Sequence, residues 1–252
     1  MANDSIRTAF ITGASSGIGA ALARHLAAEG ITVALAARRE EQLQQLADEI
    51  ASAGGTASIH PLDVSDPEAT EATVRQADDA LGGLDLVVAN AGVAPSRWSG
   101  KLCWADCTNA LAVNVAGATA TLTAVLPRMI ERKRGHLVGV TSIAGLRGLP
   151  KMAAYSASKA YLRVFLESLR LDLHGTGVCV TEIRPGYVQT PMTKDNTSTP
   201  FVVSAEDAAA RIWKATRSGR AVLTFPLPMA GAAGLLSALP NALYDVTMRP
   251  RR

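Results

Sequence analysis

Short β-branched and aliphatic runs alternate with longer helical patterns through the first two-thirds of the chain, and that alternation leaves few folds open. Strands are expected at Thr8–Thr12, Thr32–Ala36, Ala57–Pro61, Leu84–Ala89, His136–Thr141, Val178–Ile183 and Ala221–Phe225. Helical patterns fill most of the gaps, at Gly19–Glu29, Glu40–Ala53, Pro67–Leu81, Ala105–Arg132, Met152–His174 and Ala205–Arg217. Strands joined through helices lie parallel with both sheet faces covered, and right-handed crossovers then give a doubly wound order. The expectation is an α/β fold with a mainly parallel, seven-stranded sheet in one domain over residues 1–225, and an apolar C-terminal extension over 226–252.

With 48% apolar residues in a chain of 252, a core can form without metal or disulfide staples. Aromatic residues are only 4%, so Ala, Val, Leu and Ile must fill it. The 25 basic and 22 acidic side chains leave a net charge of +3, an excess matched by Arg249, Arg251 and Arg252 at the C-terminus. The body is neutral and carries no nucleic-acid footprint. Cys103, Cys107 and Cys179 cannot all pair with one another, and the front of the chain has no secretory pattern, so a reducing cytoplasm is expected. No metal site is expected, because His25, His60, His136 and His174 do not stand at ligand spacing from the cysteines.

The first strand runs into Thr12-Gly13-Ala14-Ser15-Ser16-Gly17-Ile18-Gly19 and then into an Ala-rich helix. Glycines let the backbone turn sharply and approach a pyrophosphate, while the helix start offers free N–H groups and a positive dipole end. A dinucleotide suits that place, although the spacing Gly-x3-Gly-x-Gly differs from the G-x-G-x-x-G fingerprint. Further along, Tyr155 and Lys159 stand one turn apart on a helical face, and Ser142 ends the fifth strand at the carboxyl edge where open α/β sheets bind ligands.

Taken together, Thr12–Gly19, Asn90-Ala91-Gly92, Asn114, Ser142, Tyr155-Ser156-Ala157-Ser158-Lys159 and Pro185-Gly186 with Thr190 resemble, in order and spacing, the short-chain dehydrogenase/reductase family. The likeness runs over roughly residues 8–191. It implies a Rossmann-like fold, a nicotinamide cofactor and hydride transfer between a carbonyl and an alcohol. By the same resemblance Tyr155 is the proton donor in reduction, Ser142 orients the carbonyl, Lys159 also binds the nicotinamide ribose, and Asn114 supports a water relay to the lysine. The cofactor set it implies is Gly13, Ser15, Ser16, Gly17, Ile18, Gly19, Arg38, Asp63, Val64, Asn90, Ala91, Gly92, Tyr155, Lys159, Pro185, Gly186, Val188 and Thr190. Asp63 and Val64 would hold the adenine edge, and Val188 and Thr190 the carboxamide. A free tyrosine titrates near about pH 10, and a cation beside it is expected to bring that value down.

NADP(H) is the expected cofactor. Ala37 stands where the family's NAD users carry an acid, and Arg38 follows where its NADP users carry a base able to hold a 2′-phosphate. Ser16, however, occupies a loop position that is basic in many NADP-using relatives.

Trp98, Leu146, Leu149, Met152, Tyr187, Met192 and Phe201 lie on loops around the carboxyl edge and suggest a hydrophobic aldehyde, ketone or alcohol as the small-molecule substrate. Arg97 and Arg147 on the same loops could meet an anionic group or stay solvated. The tail carries an apolar stripe at Leu235, Leu236, Leu239, Leu243 and Val246. It is expected to form a short amphipathic helix over Met229–Leu239 that does not cross a membrane and buries Leu235, Leu236 and Leu239 beside the cleft or on a partner subunit, rather than on a membrane surface. Surplus apolar residues on Ala105–Arg132 and Met152–His174 point to a homo-oligomer, a dimer or tetramer. The alternatives are an inactive dinucleotide-sensing regulator, or an NAD-dependent alcohol dehydrogenase of the same fold. A sugar-nucleotide epimerase would need a longer C-terminal domain.

Overall fold

A computed structural model describes residues 6–193 and 201–249. The strands are β1 (Thr8–Thr12), β2 (Thr32–Ala37), β3 (Ala57–Pro61), β4 (Leu86–Ala89), β5 (Gly135–Val140), β6 (Val178–Pro185) and β7 (Val222–Phe225). They form one 7-stranded sheet in the order β3-β2-β1-β4-β5-β6-β7, and every neighbouring pair is parallel. This is the doubly wound, Rossmann-like arrangement. The order reverses between β1 and β4, which opens a crevice at the carboxyl ends.

Alternate side chains on each strand feed two cores. Ala9 and Ile11 of β1 join the core under α1 (Gly17–Ala28), α2 (Glu40–Ser52) and α8 (Ala205–Arg217). Phe10 points the other way, into the core under α3 (Pro67–Ala80), α5 (Ala118–Thr123) and α7 (Ala153–Asp172). Local signals set the helix starts. Asp66 accepts the Ala69 N–H at 3.0 Å with Pro67 next in line, and Ser204 accepts the Asp207 N–H at 3.0 Å.

The long helix expected over Ala105–Arg132 is broken. It runs as α4 (Trp104–Ala110), a π-helical stretch Leu111–Gly117, α5, and α6 (Leu126–Glu131). Pro127, lacking an N–H, ends the run before α6, and Arg75 Nε takes the Ala124 carbonyl at 3.1 Å. The stretch Trp104–Glu131 is long and apolar enough to span a bilayer, but half of its most apolar window is buried in the protein.

The tail forms α9 (Leu227–Ala238) and α10 (Asn241–Met248). Within one subunit its leucines are only partly covered. Leu235 is 70% exposed, Leu236 and Leu239 are half-buried, and Leu243 and Val246 are exposed, whereas Tyr244 is buried. Apolar residues surround α9 on all sides, so no sharp stripe exists to dock. Polar contacts from Arg147 and Tyr244 fix the tail instead. Arg251 and Arg252 lie outside the described residues.

Candidate active site

The end of β1 and the end of β4 are knitted together by two polar side chains. Thr12 Oγ1 accepts the N–H groups of Asn90 (3.1 Å) and Ala91 (3.2 Å), and Asn90 Nδ2 donates to the Thr12 carbonyl at 2.9 Å. Between them the chain turns at Gly13 (φ 68°), where a side chain would be strained. At Gly19 a Cβ would stand 2.4 Å from the Gly13 carbonyl oxygen, so only glycine lets α1 begin this close to the turn. The first turn of α1 has no acidic residue and Ser16 does not cap it, so its N–H groups suit an anion.

Two arginines follow β2. Arg38 lies 3.8 Å from Asp63 in a largely exposed pair. The Asp63 carboxyl sits below its ordinary value, held first by the Ser65 backbone N–H and also by Arg38. Arg39 folds back over the glycine loop, with NH2 2.8 Å from Ser15 Oγ and 2.7 Å from Ser16 Oγ. Sequence alone does not single out Arg39. Its signal was positional: it stands at the N-cap of α2 in extended backbone, which returns its side chain toward the loop beside β2.

On the other side of the switch point, Ser142 follows β5 and opens a short turn. Its Oγ accepts the Ala144 N–H at 3.1 Å and reaches the Pro185 carbonyl only at 3.5 Å, a weak bond easily exchanged for one to a substrate oxygen. Tyr155 and Lys159 come from the start of α7. Lys159 is 4% exposed, donates from Nζ to the Val140 carbonyl at 2.8 Å, and is pushed down to about 8 by burial. Its Nζ is 5.9 Å from the centre of the Tyr155 ring. Burial pushes the Tyr155 phenol above its ordinary value, against a hydrogen bond with Ser142. The expected lowering by the lysine is therefore not what the protein alone produces. The ammonium is a turn away, bonded to a carbonyl, and itself disfavoured by desolvation.

Asn114 is fully buried within the π-helical stretch. Its Oδ1 accepts the Val93 N–H (2.8 Å), and its Nδ2 donates to the Val93 carbonyl (2.8 Å) and to Ser158 Oγ (2.9 Å). Its side chain thus pins the loop after β4 to α7. Gly92 lies between it and the lysine, since a Cβ there would stand 3.3 Å from both Asn114 Oδ1 and Lys159 Nζ.

These elements enclose a cleft of about 420 Å³ along the carboxyl edge. Gly13, Ser15, Ser16, Gly17, Ile18, Arg38, Arg39, Asp63 and Val64 line one end. Asn90, Ala91, Gly92, Ser142, Tyr155, Lys159, Pro185, Gly186, Val188 and Thr190 complete the lining, and Thr190 lies against the glycine loop, since a Cβ on Gly17 would stand 3.0 Å from its Cγ2. Gly19 and Asn114 stand behind this wall, as packing and bracing residues. The short chain dehydrogenase family matches residues 7–200. The chain belongs to the short-chain dehydrogenase/reductase family. It is an oxidoreductase of that family.

Among relatives of this dehydrogenase, an uncharacterized oxidoreductase of Myxococcus xanthus is 49% identical over 253 residues, covering 100% of both chains. A short-chain dehydrogenase from Sphingobium yanoikuyae, solved with NADPH, superposes with a TM-score of 0.82 at 26% identity, covering 94% of this chain and 98% of that one. One from Burkholderia phymatum, solved with NAD, has the same fold at a TM-score of 0.87 and 24% identity, over 100% and 99%.

Of the loop residues expected around the substrate, Met192 lines the cleft, and it is more than half exposed, as are Trp98 and Phe201. Arg97 pairs with Asp106 at 3.0 Å, and Arg147 bonds the tail, so neither is held out toward an anionic substrate. The cysteines are free, and no cluster of metal-ligating side chains occurs among the described residues.

Proposed function

We propose that this oxidoreductase is an NADP(H)-dependent carbonyl reductase that also works in reverse as an alcohol dehydrogenase on apolar carbonyl/alcohol pairs. The observation that carries the reading is the basic end of the cleft. Arg38 and Arg39 stand together there with the Ser15 and Ser16 hydroxyls, and Ala37 removes the carboxylate that a ribose 2′-hydroxyl would need. The cofactor fits what the residues offer: a glycine turn too tight for side chains, an uncapped helix start for the pyrophosphate, and two guanidiniums for a 2′-phosphate. Asp63 and Val64 would flank the adenine, Tyr155 and Lys159 the nicotinamide ribose, and Val188 and Thr190 the carboxamide.

When bound, NADPH supplies the hydride. The protein supplies position and a proton. Ser142 holds the substrate oxygen through its loosely engaged hydroxyl. Tyr155, whose phenol stays protonated in the buried site, donates its proton to that oxygen as the carbonyl becomes an alcohol. Lys159, pushed down to about 8, can return a proton toward the phenolate near neutral pH. Loss of NADPH absorbance with a panel of aldehydes and ketones tests this directly. Turnover with NADPH and not with NADH supports it, and an absence of turnover together with equal binding of both cofactors overturns it.

A further inference from the structure

We propose that Glu182 is a positioning residue: through Thr141 it fixes the end of β5, the stretch on which Lys159 and the substrate oxygen are both aligned. Val140, Thr141 and Ser142 each have a different partner. The Val140 carbonyl accepts from Lys159 Nζ at 2.8 Å, Thr141 Oγ1 donates to Glu182 Oε1 at 2.9 Å, and Ser142 lines the cleft. The inference rests on the reductase reading only for its kinetic consequences. Its geometry is that of the protein alone.

Thr141 is the last firmly held residue before the turn that carries Ser142. The β5–β6 ladder pairs Val140 with Ile183, and one residue on, the Thr141 N–H still reaches the Ile183 carbonyl at 2.8 Å. Beyond it, Ser142 meets β6 through the 3.5 Å contact of its Oγ with the Pro185 carbonyl. Each peptide is a rigid plane, so a rotation at Thr141 swings both the Val140 carbonyl and Ser142. Reacting groups must be held within about 0.5 Å, and a shift of about 1 Å costs on the order of a hundred-fold in rate. The Thr141 hydroxyl has one proton and two acceptors, for Oγ1 also lies 2.9 Å from the Ile183 carbonyl. That carbonyl is already engaged by a backbone N–H, and an ionised acceptor holds a hydroxyl proton more strongly than a neutral one. The carboxylate therefore takes it.

Glu182 can fix Thr141 because it is held in turn. It is 4% exposed on the face of β6 that packs under α7, where a carboxylate is costly unless paired. Arg184, two residues further along the same face, closes on it with Nε 2.8 Å from Oε1 and NH2 2.7 Å from Oε2. Packing alone does not place the pair, since a cavity of about 60 Å³ adjoins it, lined in part by Leu166, Arg170 and Val222. The position of the carboxylate is set by Arg184 and Thr141. Two aliphatic side chains of similar volume would serve stability as well, but they would give Thr141 no acceptor. Glu182 stands behind the wall that Thr141 lines, so it reaches the reaction through its neighbour.

The experiment compares Thr141→Val, which removes the hydroxyl and leaves the ion pair, with Glu182→Leu/Arg184→Leu, which removes the acceptor without stranding a guanidinium. Glu182→Gln is the conservative control, because its amide oxygen still accepts from Thr141 while Arg184 meets water in the cavity. With NADPH and the carbonyl of the panel that is turned over fastest, the first two should each lower kcat about ten-fold and leave KM for NADPH within about two-fold. Glu182→Gln should restore kcat to within about three-fold of the unaltered enzyme. Hydrogen exchange of residues 141–146, without substrate, reads the same anchor without turnover. It should speed up about ten-fold in the first two variants and not in Glu182→Gln, with exchange in β1 and the urea midpoint unchanged. Unchanged kcat and unchanged exchange in the double variant overturn the proposal, as does an effect confined to Thr141→Val. Faster exchange throughout the chain, with NADPH binding and kcat lost together, overturns it in favour of a role in stability alone. If no carbonyl is turned over but exchange rises only at 141–146, the positioning stands and the reductase reading fails.

Discussion

Arg39 NH2 lies 2.7 Å from Ser16 Oγ, which places a guanidinium over the glycine loop at the position where a basic side chain from the loop itself would otherwise stand. The cation absent from the loop is thus supplied from the start of α2. Charge-assisted bonds to phosphate are worth about 1.5–3 kcal/mol each, less where solvent reaches them. Arg38→Ala and Arg39→Ala should therefore each weaken NADPH binding by about ten-fold and leave NADH binding nearly unchanged. Fluorescence titration with both cofactors, and with 2′,5′-ADP against ADP, checks this. Equal losses for both nucleotides would show that the arginines hold the fold and not a phosphate.

Tyr155→Phe should abolish turnover while cofactor affinity persists, because only the transferable proton is lost. In the reductive direction the rate should fall as pH rises through about 8, where Lys159 gives up its proton, and oxidation should show the opposite limb. Replacing Lys159 with Arg, which keeps its charge, should remove the limb near 8. Stopped-flow rates between pH 6 and 10 would decide it, and near-wild-type activity in Tyr155→Phe would exclude the mechanism.

What could be read from the sequence follows the range of the forces involved. β1, β3 and α8 occupy the spans their patterns mark, because alternation, caps and glycine turns are local. The π-helical break at Leu111–Gly117 is not local. Val113, Asn114 and Val115 are only weak helix formers, which does not by itself set a π-helical turn, and the distortion accompanies the pairing of Asn114 with Val93 and Ser158. The same holds for the tail, whose leucines suggested burial, while Arg147 and Tyr244, far apart in sequence, do the fastening. Ser142, Tyr155 and Lys159 were visible through their spacing and their resemblance. Arg39 was hidden by its neighbour Arg38, since adjacent residues cannot be told apart until the backbone direction is known.

His136 should make the protein acid-sensitive. It is fully buried between strands, bonded at 2.8 Å to Thr181 Oγ1, and pushed down to about 4 by burial. Thr181 donates its own proton to the Arg220 carbonyl at 2.7 Å, so the ring donates to Thr181 in the neutral form. The folded state therefore favours neutral histidine. Its stabilisation is complete above about pH 6.5 and is lost as pH falls toward 4, at about 1.4 kcal/mol per unit and roughly 3 kcal/mol in all. Urea unfolding at pH 7.5 and pH 5 measures it. His136→Gln retains a donor without titrating, and should be less stable at pH 7.5 but lose less on acidification.

The protein should be a two-fold dimer through α7 and the α4 side of the broken helix. Tyr161, Val164 and Leu171 on α7 are 42%, 50% and 66% exposed, and Trp104 and Leu111 are 74% and 46% exposed. Tyr161, Val164 and Leu171 recur at helical spacing along one side of α7, and Tyr161 stacks on Phe165 at 5.9 Å, which makes a flat, rigid surface. A self-complementary patch is covered most simply by its own copy, and each fully buried side chain then contributes about 1.5–3 kcal/mol, twice over by symmetry. Val164→Glu is harmless to an isolated subunit, where the side chain meets water, but places two unpaired carboxylates in a dimer seam. Sedimentation velocity at micromolar concentration should give a dimer for the unaltered protein and a folded monomer for Val164→Glu. A monomeric unaltered protein, or a Val164→Glu variant that remains fully dimeric, would remove this surface from consideration.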